Sequence, residues 1–206
     1  MEFSIKSLRQ TSPERISLEL STGEEIKATV GLAAELRLYA GKVLEEQELE
    51  ALRSSAALAL CKNHGMELLS YRPMSAKELR DKLVQKGETA ENAEAAVEWL
   101  QSRGFLDDER YAGMVVRHYA GKGYGAGRIR QELQRRGVTR ELWEEALEEM
   151  PDAEARLDAL VRKRLGDTTP DRKEVGRLAS SLMRRGYSWE EVRAAIARNR
   201  GEVPED

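Results

Sequence analysis

Three runs of alternating apolar and polar residues open the chain: Phe3, Ile5 and Leu8, then Ile16, Leu18 and Leu20, then Ile26, Ala28 and Val30. A period of two is the spacing of a strand with one buried face, and polar breaks at Thr11–Pro13 and Ser21–Gly23 separate the runs. The pattern predicts a small three-stranded antiparallel β meander over residues 1–46, closed by a short helix near Leu32–Tyr39. A sheet of this size holds no large core alone, so it is expected to pack on the first long helix.

From residue 47 the period becomes that of a helix, and the chain repeats itself. Gly87, Gly137 and Gly186 stand 50 and 49 residues apart. Each follows the same apolar pair: Leu79 and Leu83, Ile129 and Leu133, Leu178 and Leu182. Two residues beyond each glycine comes a hydroxyl (Thr89, Thr139, Ser188), and then a buried-type pair (Ala96/Val97, Ala146/Leu147, Ala195/Ile196). Apolar residues four apart share a helix face. Glycine just past that face supplies the left-handed residue that ends a helix, and the hydroxyl accepts a free backbone N–H of the next one. Ser75 with Glu78, and Ser188 with Glu191, have the spacing of capping boxes. Further helical stretches precede each pair, at Gln47–Tyr71, Asp107–Ala120 and Asp152–Leu165. The expectation is a mainly α chain of three tandem three-helix, helix-turn-helix-like repeats at 47–104, 105–150 and 151–206, the last with a C-terminal tail. It would be elongated, since each repeat buries only its neighbours' faces.

The totals, 34 Lys+Arg against 37 Asp+Glu for a net charge of −3, argue against a nucleic-acid partner. Their distribution reverses that inference. Between Arg110 and Arg140 eight bases (Arg110, Arg117, Lys122, Arg128, Arg130, Arg135, Arg136, Arg140) face Glu132 alone. Glu141–Glu154 holds seven acids and no base, and Arg156–Arg185 nine bases against four acids. The middle helix of each repeat is the richer in bases: Lys77, Arg80, Lys82 and Lys86; Arg128, Arg130, Arg135 and Arg136; Arg172, Lys173, Arg177, Arg184 and Arg185. The third helix is acidic in the first two repeats. A helix-turn-helix repressor lays its second motif helix in the major groove; here that helix would face phosphates with carboxylates, which argues against sequence reading. The basic middle helices can contact phosphates or an acidic protein groove without reading sequence. The acidic third helices could meet a basic partner surface or merely face solvent.

Asp107 has the position of an N-cap, with Asp108 and Glu109 favoured by the positive end of the helix dipole. Tyr111, Met114, Val115 and His118 share a face that is expected to pack into the core. Gly123 is placed to end that helix, and Tyr124, between glycines, is either an exposed anchor or buried under the next helix. Glycines at 123, 125 and 127 lack the Lys-Ser/Thr of a phosphate-binding loop and follow no strand, so no nucleotide is expected. Cys61 is the single cysteine; it excludes an internal disulfide and fits a reducing compartment. With His64 it could form half a metal site or a thiol–imidazole pair, but no second ligand pair follows, and Ala56, Leu60 and Leu68 suggest partial burial. The residues propose no catalytic group, metal or cofactor. The uncharged run Ser54–Cys61 is too short to span a bilayer, and no export signal is read in residues 1–30.

Leu106-Asp107-Asp108-Glu109-Arg110-Tyr111-Ala112, followed by Lys122-Gly123-Tyr124-Gly125 and Arg128-Ile129-Arg130-Gln131-Glu132-Leu133, resembles the central repeat of the RecX family, bacterial regulators of the RecA recombinase. Tyr71-Arg72-Pro73 with Ser75, Glu78-Leu79 and Leu83 is similar to that family's first repeat, while Asp171–Gly186 keeps the helix pattern of the third with few signature residues. The similarity spans about residues 48–200, with the meander resembling an N-terminal extension found in some members. It implies a cytoplasmic, monomeric, non-enzymatic protein of recombination and the SOS response. Such a protein would lie in the groove of a RecA–DNA filament and limit filament growth, ATP turnover and strand exchange. Contacts to RecA or to DNA phosphates are expected from Arg110, Arg117, Lys122, Tyr124, Arg128, Arg130, Arg135, Arg136, Arg172, Lys173, Arg184 and Arg185. A sequence-non-specific DNA-binding protein and a helical interaction scaffold are the competing readings.

Overall fold

The computed structural model describes residues 2–150, 152–165 and 171–200; the expected C-terminal tail lies outside them. The chain forms two compact units, Met1–Leu106 and Asp107–Asp206.

In the first unit, β1 (Phe3–Gln10), β2 (Arg15–Leu20) and β3 (Glu25–Thr29) form the expected antiparallel meander. A fourth strand, β4 (Val43–Leu44), pairs antiparallel with β1, giving the order β3-β2-β1-β4. Two residues carry no readable period, which is why the sequence predicted three strands. Helix α1 runs over Val30–Glu35, ahead of the expected Leu32–Tyr39, because the Thr29 hydroxyl at the end of β3 accepts the Leu32 N–H at 3.1 Å and starts the helix there.

The 26-residue helix α2 (Glu46–Tyr71) serves two cores. Its Leu49, Leu52 and Ala56 pack with Ile5, Ile16, Leu18, Leu20, Ile26 and Ala28 of the sheet. Its Cys61 belongs to a second core, with Leu79 and Leu83 of α3 (Ala76–Gln85) and Ala93, Ala96, Val97 and Leu100 of α4 (Ala90–Ser102). The uncharged run Ser54–Cys61 is where the helix passes from one core to the other.

The second unit contains two further three-helix repeats. Helices α5 (Asp108–Gly121) and α6 (Ala126–Arg135), a 3-10 turn at Arg140–Leu142 and α7 (Trp143–Glu148) form one; α8 (Ala153–Leu165), α9 (Arg172–Arg184) and α10 (Trp189–Arg200) form the other. Gly87, Gly137 and Gly186 have φ of 98°, 72° and 91°, the left-handed conformation expected of helix terminators. Thr89 and Ser188 cap the helices that follow, Ser188 in a full capping box with Glu191. Thr139 makes no side-chain cap bond. Its helix instead begins as the 3-10 turn, and the Trp143 indole N–H donates to the Val138 carbonyl at 3.0 Å. The core face of α5 is also shifted from the expected one. Tyr111, Ala112, Val115, Val116 and Ala120 are buried, whereas Met114 (39% exposed) and His118 point outward, because the small Ala112 and Ala120 rather than the larger side chains fill the seam.

Candidate functional site

Eight of the twelve expected contact residues lie on the middle helices α6 and α9 or at their C-caps, and local bonding decides which of their charges are available. On α6, Glu132 is 5% exposed. It accepts from Arg135 Nε and Nη2 at 3.0 and 2.7 Å and from the Tyr119 hydroxyl at 3.1 Å, with Arg128 Nη2 at 3.3 Å. Burial pushes this carboxyl up, but the bonds from Arg135 and Tyr119 and the charges of Arg135 and Arg128 outweigh it and hold the group below the usual carboxylate range. Arg136 lies beside it, donating to the hydroxyls of Tyr111 at 2.9 Å and Tyr119 at 3.4 Å, with its guanidinium 5.8 Å from the Tyr119 ring centroid. Arg130 makes a two-pronged pair with Glu144 of α7 at 3.0 and 2.9 Å. The one acid in the basic block is therefore its organising centre, and all four α6 arginines are bonded within their own repeat.

One glutamate of each acidic third helix is tied back to the middle helix of its repeat. Arg80 of α3 pairs with Glu94 of α4 as Arg130 does with Glu144. In each case the arginine stands seven residues before the turn glycine and the glutamate seven after it. The same positions in the last repeat are Ala179 and Arg193, and there Arg198 pairs instead with Asp158 and Glu154 of α8.

The other expected residues of the α5–α7 repeat divide. Arg117 pairs with Glu149, and Lys122 lies 5.5 Å from the Tyr119 ring centroid. Tyr124 is half-buried against the repeat's core, its ring 5.8 Å from that of Tyr119, which makes it a packing residue rather than a free anchor. Arg110 is exposed; its backbone N–H donates to the Asp107 cap, and its side chain has no bonded partner among the described residues.

On α9 and its C-cap, Arg172, Lys173, Arg177, Arg184 and Arg185 are all exposed. Lys173, Arg177 and Arg184 make no hydrogen bond or ion pair among the described residues. Positions 173, 177, 180 and 184 share a helix face, which adds the Ser180 hydroxyl to the stripe. Glu174, the only acid of α9, is used by the Asp171 capping box.

The glycines at 123, 125 and 127 have a structural use that spacing could not show. The N–H groups of Gly125 and Gly127 donate to the carbonyls of Arg185 and Gly186, both at 2.9 Å. A Cβ at Gly125 would stand 2.6 Å from the Gly186 oxygen, and one at Gly186 would collide with the Arg128 backbone. Only bare backbone lets the entry to α6 meet the end of α9 this closely. Cys61 and His64 both meet Glu88. Cys61 is fully buried and its thiol is pushed up to about 12, first by burial and then by Glu88, while His64 Nδ1 lies 2.5 Å from that same Glu88 carboxylate. Among the described residues no cluster of three His, Cys, Asp or Glu is placed to hold a metal, and no helix is long and apolar enough to cross a membrane.

Family models match all three repeats in chain order: RecX, first three-helix domain, at residues 61–100; RecX, second three-helix domain, at 107–147; and RecX, third three-helix domain, at 152–196. The chain belongs to the RecX family. Regulatory protein RecX of Vibrio vulnificus is 35% identical over 147 residues, covering 70% of this chain and 96% of the relative. That of Halorhodospira halophila is 36% identical over 146 residues, covering 70% and 91%. Two solved structures share the fold. A crystal structure of regulatory protein RecX aligns with a TM-score of 0.75 at 22% identity over 95% of this chain and 99% of its own. RecX from Lactobacillus salivarius aligns with a TM-score of 0.65 at 21% identity, over 69% and 96%. Coverage of 95% necessarily takes in the N-terminal sheet. Membership places the chain among proteins named as regulators, a family not named for an enzymatic activity.

Proposed function

We propose that this RecX-family protein acts in the cytoplasm as an inhibitor of RecA. It binds along the RecA–DNA filament and limits filament growth, ATP turnover and strand exchange, with α9 rather than α6 as its main phosphate-contacting helix. The observation that carries the assignment to α9 is the state of the charges. Lys173, Arg177 and Arg184 have no partner to give up among the described residues, whereas each α6 arginine must break a bond within its repeat before it can contact a phosphate. A free cation replaces condensed counterions at the nucleic-acid backbone without that cost. Arg110, Arg172 and Arg185 add exposed charge to the same role.

The test is RecA ATP turnover and strand exchange on single-stranded DNA with the protein added in steps. Replacing Lys173, Arg177 and Arg184 together by Glu is expected to raise the concentration needed for half-inhibition at least about ten-fold, since like charge facing phosphate repels where cation attracted. Helix content should change little, because these side chains make no bond among the described residues and lose only weak helix-end and neighbour charge effects. Undiminished inhibition would overturn the α9 assignment. Equal binding to naked DNA with no effect on RecA would overturn the inhibitor reading in favour of a general DNA-binding protein.

A further inference from the structure

The first unit holds an aromatic and basic patch that the charge pattern of the sequence did not single out. Phe105, just beyond α4, is 59% exposed, and its ring stacks on that of Trp99, with centroids 6.3 Å apart and planes 28° apart. Two cations lie against the same indole: Lys62 Nζ, from α2, 5.1 Å from its centroid, and Arg103 Cζ 5.8 Å away. Trp99 is half-buried on the core and fixes the geometry, while Phe105 is held out from it.

The surroundings favour an anionic, ring-bearing partner. On α4, the residues a turn from Trp99 on this face are Ala95, Ser102 and Arg103; on α2, those a turn from Lys62 are Leu58, Ala59 and Met66. None is acidic. Glu98 precedes Trp99, but successive helix residues point about 100° apart, so it leaves the helix in another direction. The two cations are drawn to the ring and carry no ion pair among the described residues, so their charge remains available.

We propose that Phe105, backed by Trp99 and flanked by Lys62 and Arg103, is a stacking platform for the bases of single-stranded nucleic acid. A single strand presents both ring faces and phosphates, and an exposed ring beside cations meets both without reading sequence. A duplex hides its base faces and is a poorer fit. The proposal takes only the class of partner from the nucleoprotein reading above, and the α9 substitutions, scored by RecA ATP turnover, test that reading separately.

The full-length protein is mixed with a fluorescent oligothymidylate, and in parallel with a 5-iodouracil oligonucleotide that is photo-crosslinked and mapped by peptide mass spectrometry. Adducts are expected at Phe105 or Trp99. Phe105→Ala should weaken oligonucleotide binding about ten-fold, within the usual range for loss of one stacked base, while Phe105→Trp retains it. Lys62→Gln with Arg103→Gln should lower the salt dependence by about 1.4 in log–log slope, at roughly 0.7 per cation. Unchanged affinity in Phe105→Ala, or adducts confined to other helices, would overturn the proposal. So would loss of RecA inhibition in Phe105→Ala with oligonucleotide binding intact, which would assign the patch to a protein surface.

Discussion

Helices α6 and α9 occupy the same place in neighbouring repeats, and their sequences look interchangeable: each carries basic side chains ahead of a terminating glycine. Their charges do different work. The α6 arginines gather on Glu132, on two tyrosine hydroxyls and on Glu144, so that helix is basic in composition but its arginines are bonded within the repeat. On α9 the acid is used in a cap, and Lys173, Arg177 and Arg184 make no ion pair among the described residues. One buried carboxylate separates the two cases. A count of charges along the chain measures what a helix owns; only partners show what it can offer to another molecule.

The largest expected effect concerns the junction where these two helices meet. Gly186→Ala puts a methyl into the Arg128 backbone at φ 91°, where an L side chain is already strained. Gly87→Ala, in the equivalent turn at φ 98°, meets nothing within 4 Å. The second substitution should cost about 1–2 kcal/mol, the left-handed penalty alone. The first should exceed it by at least about 2 kcal/mol and free the amides of Gly125 and Gly127 to exchange. Urea denaturation with hydrogen exchange at those amides decides this, and equal losses at the two glycines would show that the close approach does not hold the repeats together.

Glu132→Gln comes next. It leaves Arg128, Arg135 and Arg136 around an uncharged group and should destabilise the unit by about 2–3 kcal/mol at neutral pH, below the usual cost of breaking a fully buried pair because the arginines reach solvent. The folded-state acid titrates below its ordinary 4.5. Its contribution is therefore complete above about pH 5 and disappears as pH falls through the folded value. The stability difference between the parent and the Gln variant should stay constant from pH 8 to 5 and shrink below that. A difference that persists undiminished at pH 3 would remove Glu132 charge as the organiser of α6.

Much of the fold was legible because it depends on local rules. The turn glycines, the apolar pairs four apart, the Asp107 and Ser188 caps and the three long strands each follow from neighbours in sequence. The features that escaped depend on distance: β4 pairs across some forty residues of chain, Gly125 meets Arg185, and the face of α5 turns on which small side chain a neighbouring helix needs. The candidate contacts were legible as a population of bases but not as available charge. Glu132 reads in sequence as the lone exception in a basic block, and its burial is what gives it control of that block. The Trp99–Phe105 pair was invisible for a similar reason, since Lys62 reaches it from a helix 37 positions earlier.

The smallest effect should come from the repeated ion pair, and it tests the comparison most directly. Arg130 and Glu144 have side chains 40% and 71% exposed, and Arg80 and Glu94 38% and 46%, so solvent screens both pairs. The last repeat, with Ala179 and Arg193 in those places, folds without one. Exchanging the partners, Arg130→Glu with Glu144→Arg, restores an ion pair of reversed sense and should move the melting temperature by no more than about 2 °C. It also removes a cation from the face of α6 without disturbing Glu132. If the α6 arginines stay bonded and α9 is the contacting helix, the exchanged protein inhibits RecA as the parent does. If inhibition falls while the α9 triple substitution leaves it untouched, the roles of the two helices are reversed, and the bonded arginines of α6 release their partners when a phosphate arrives.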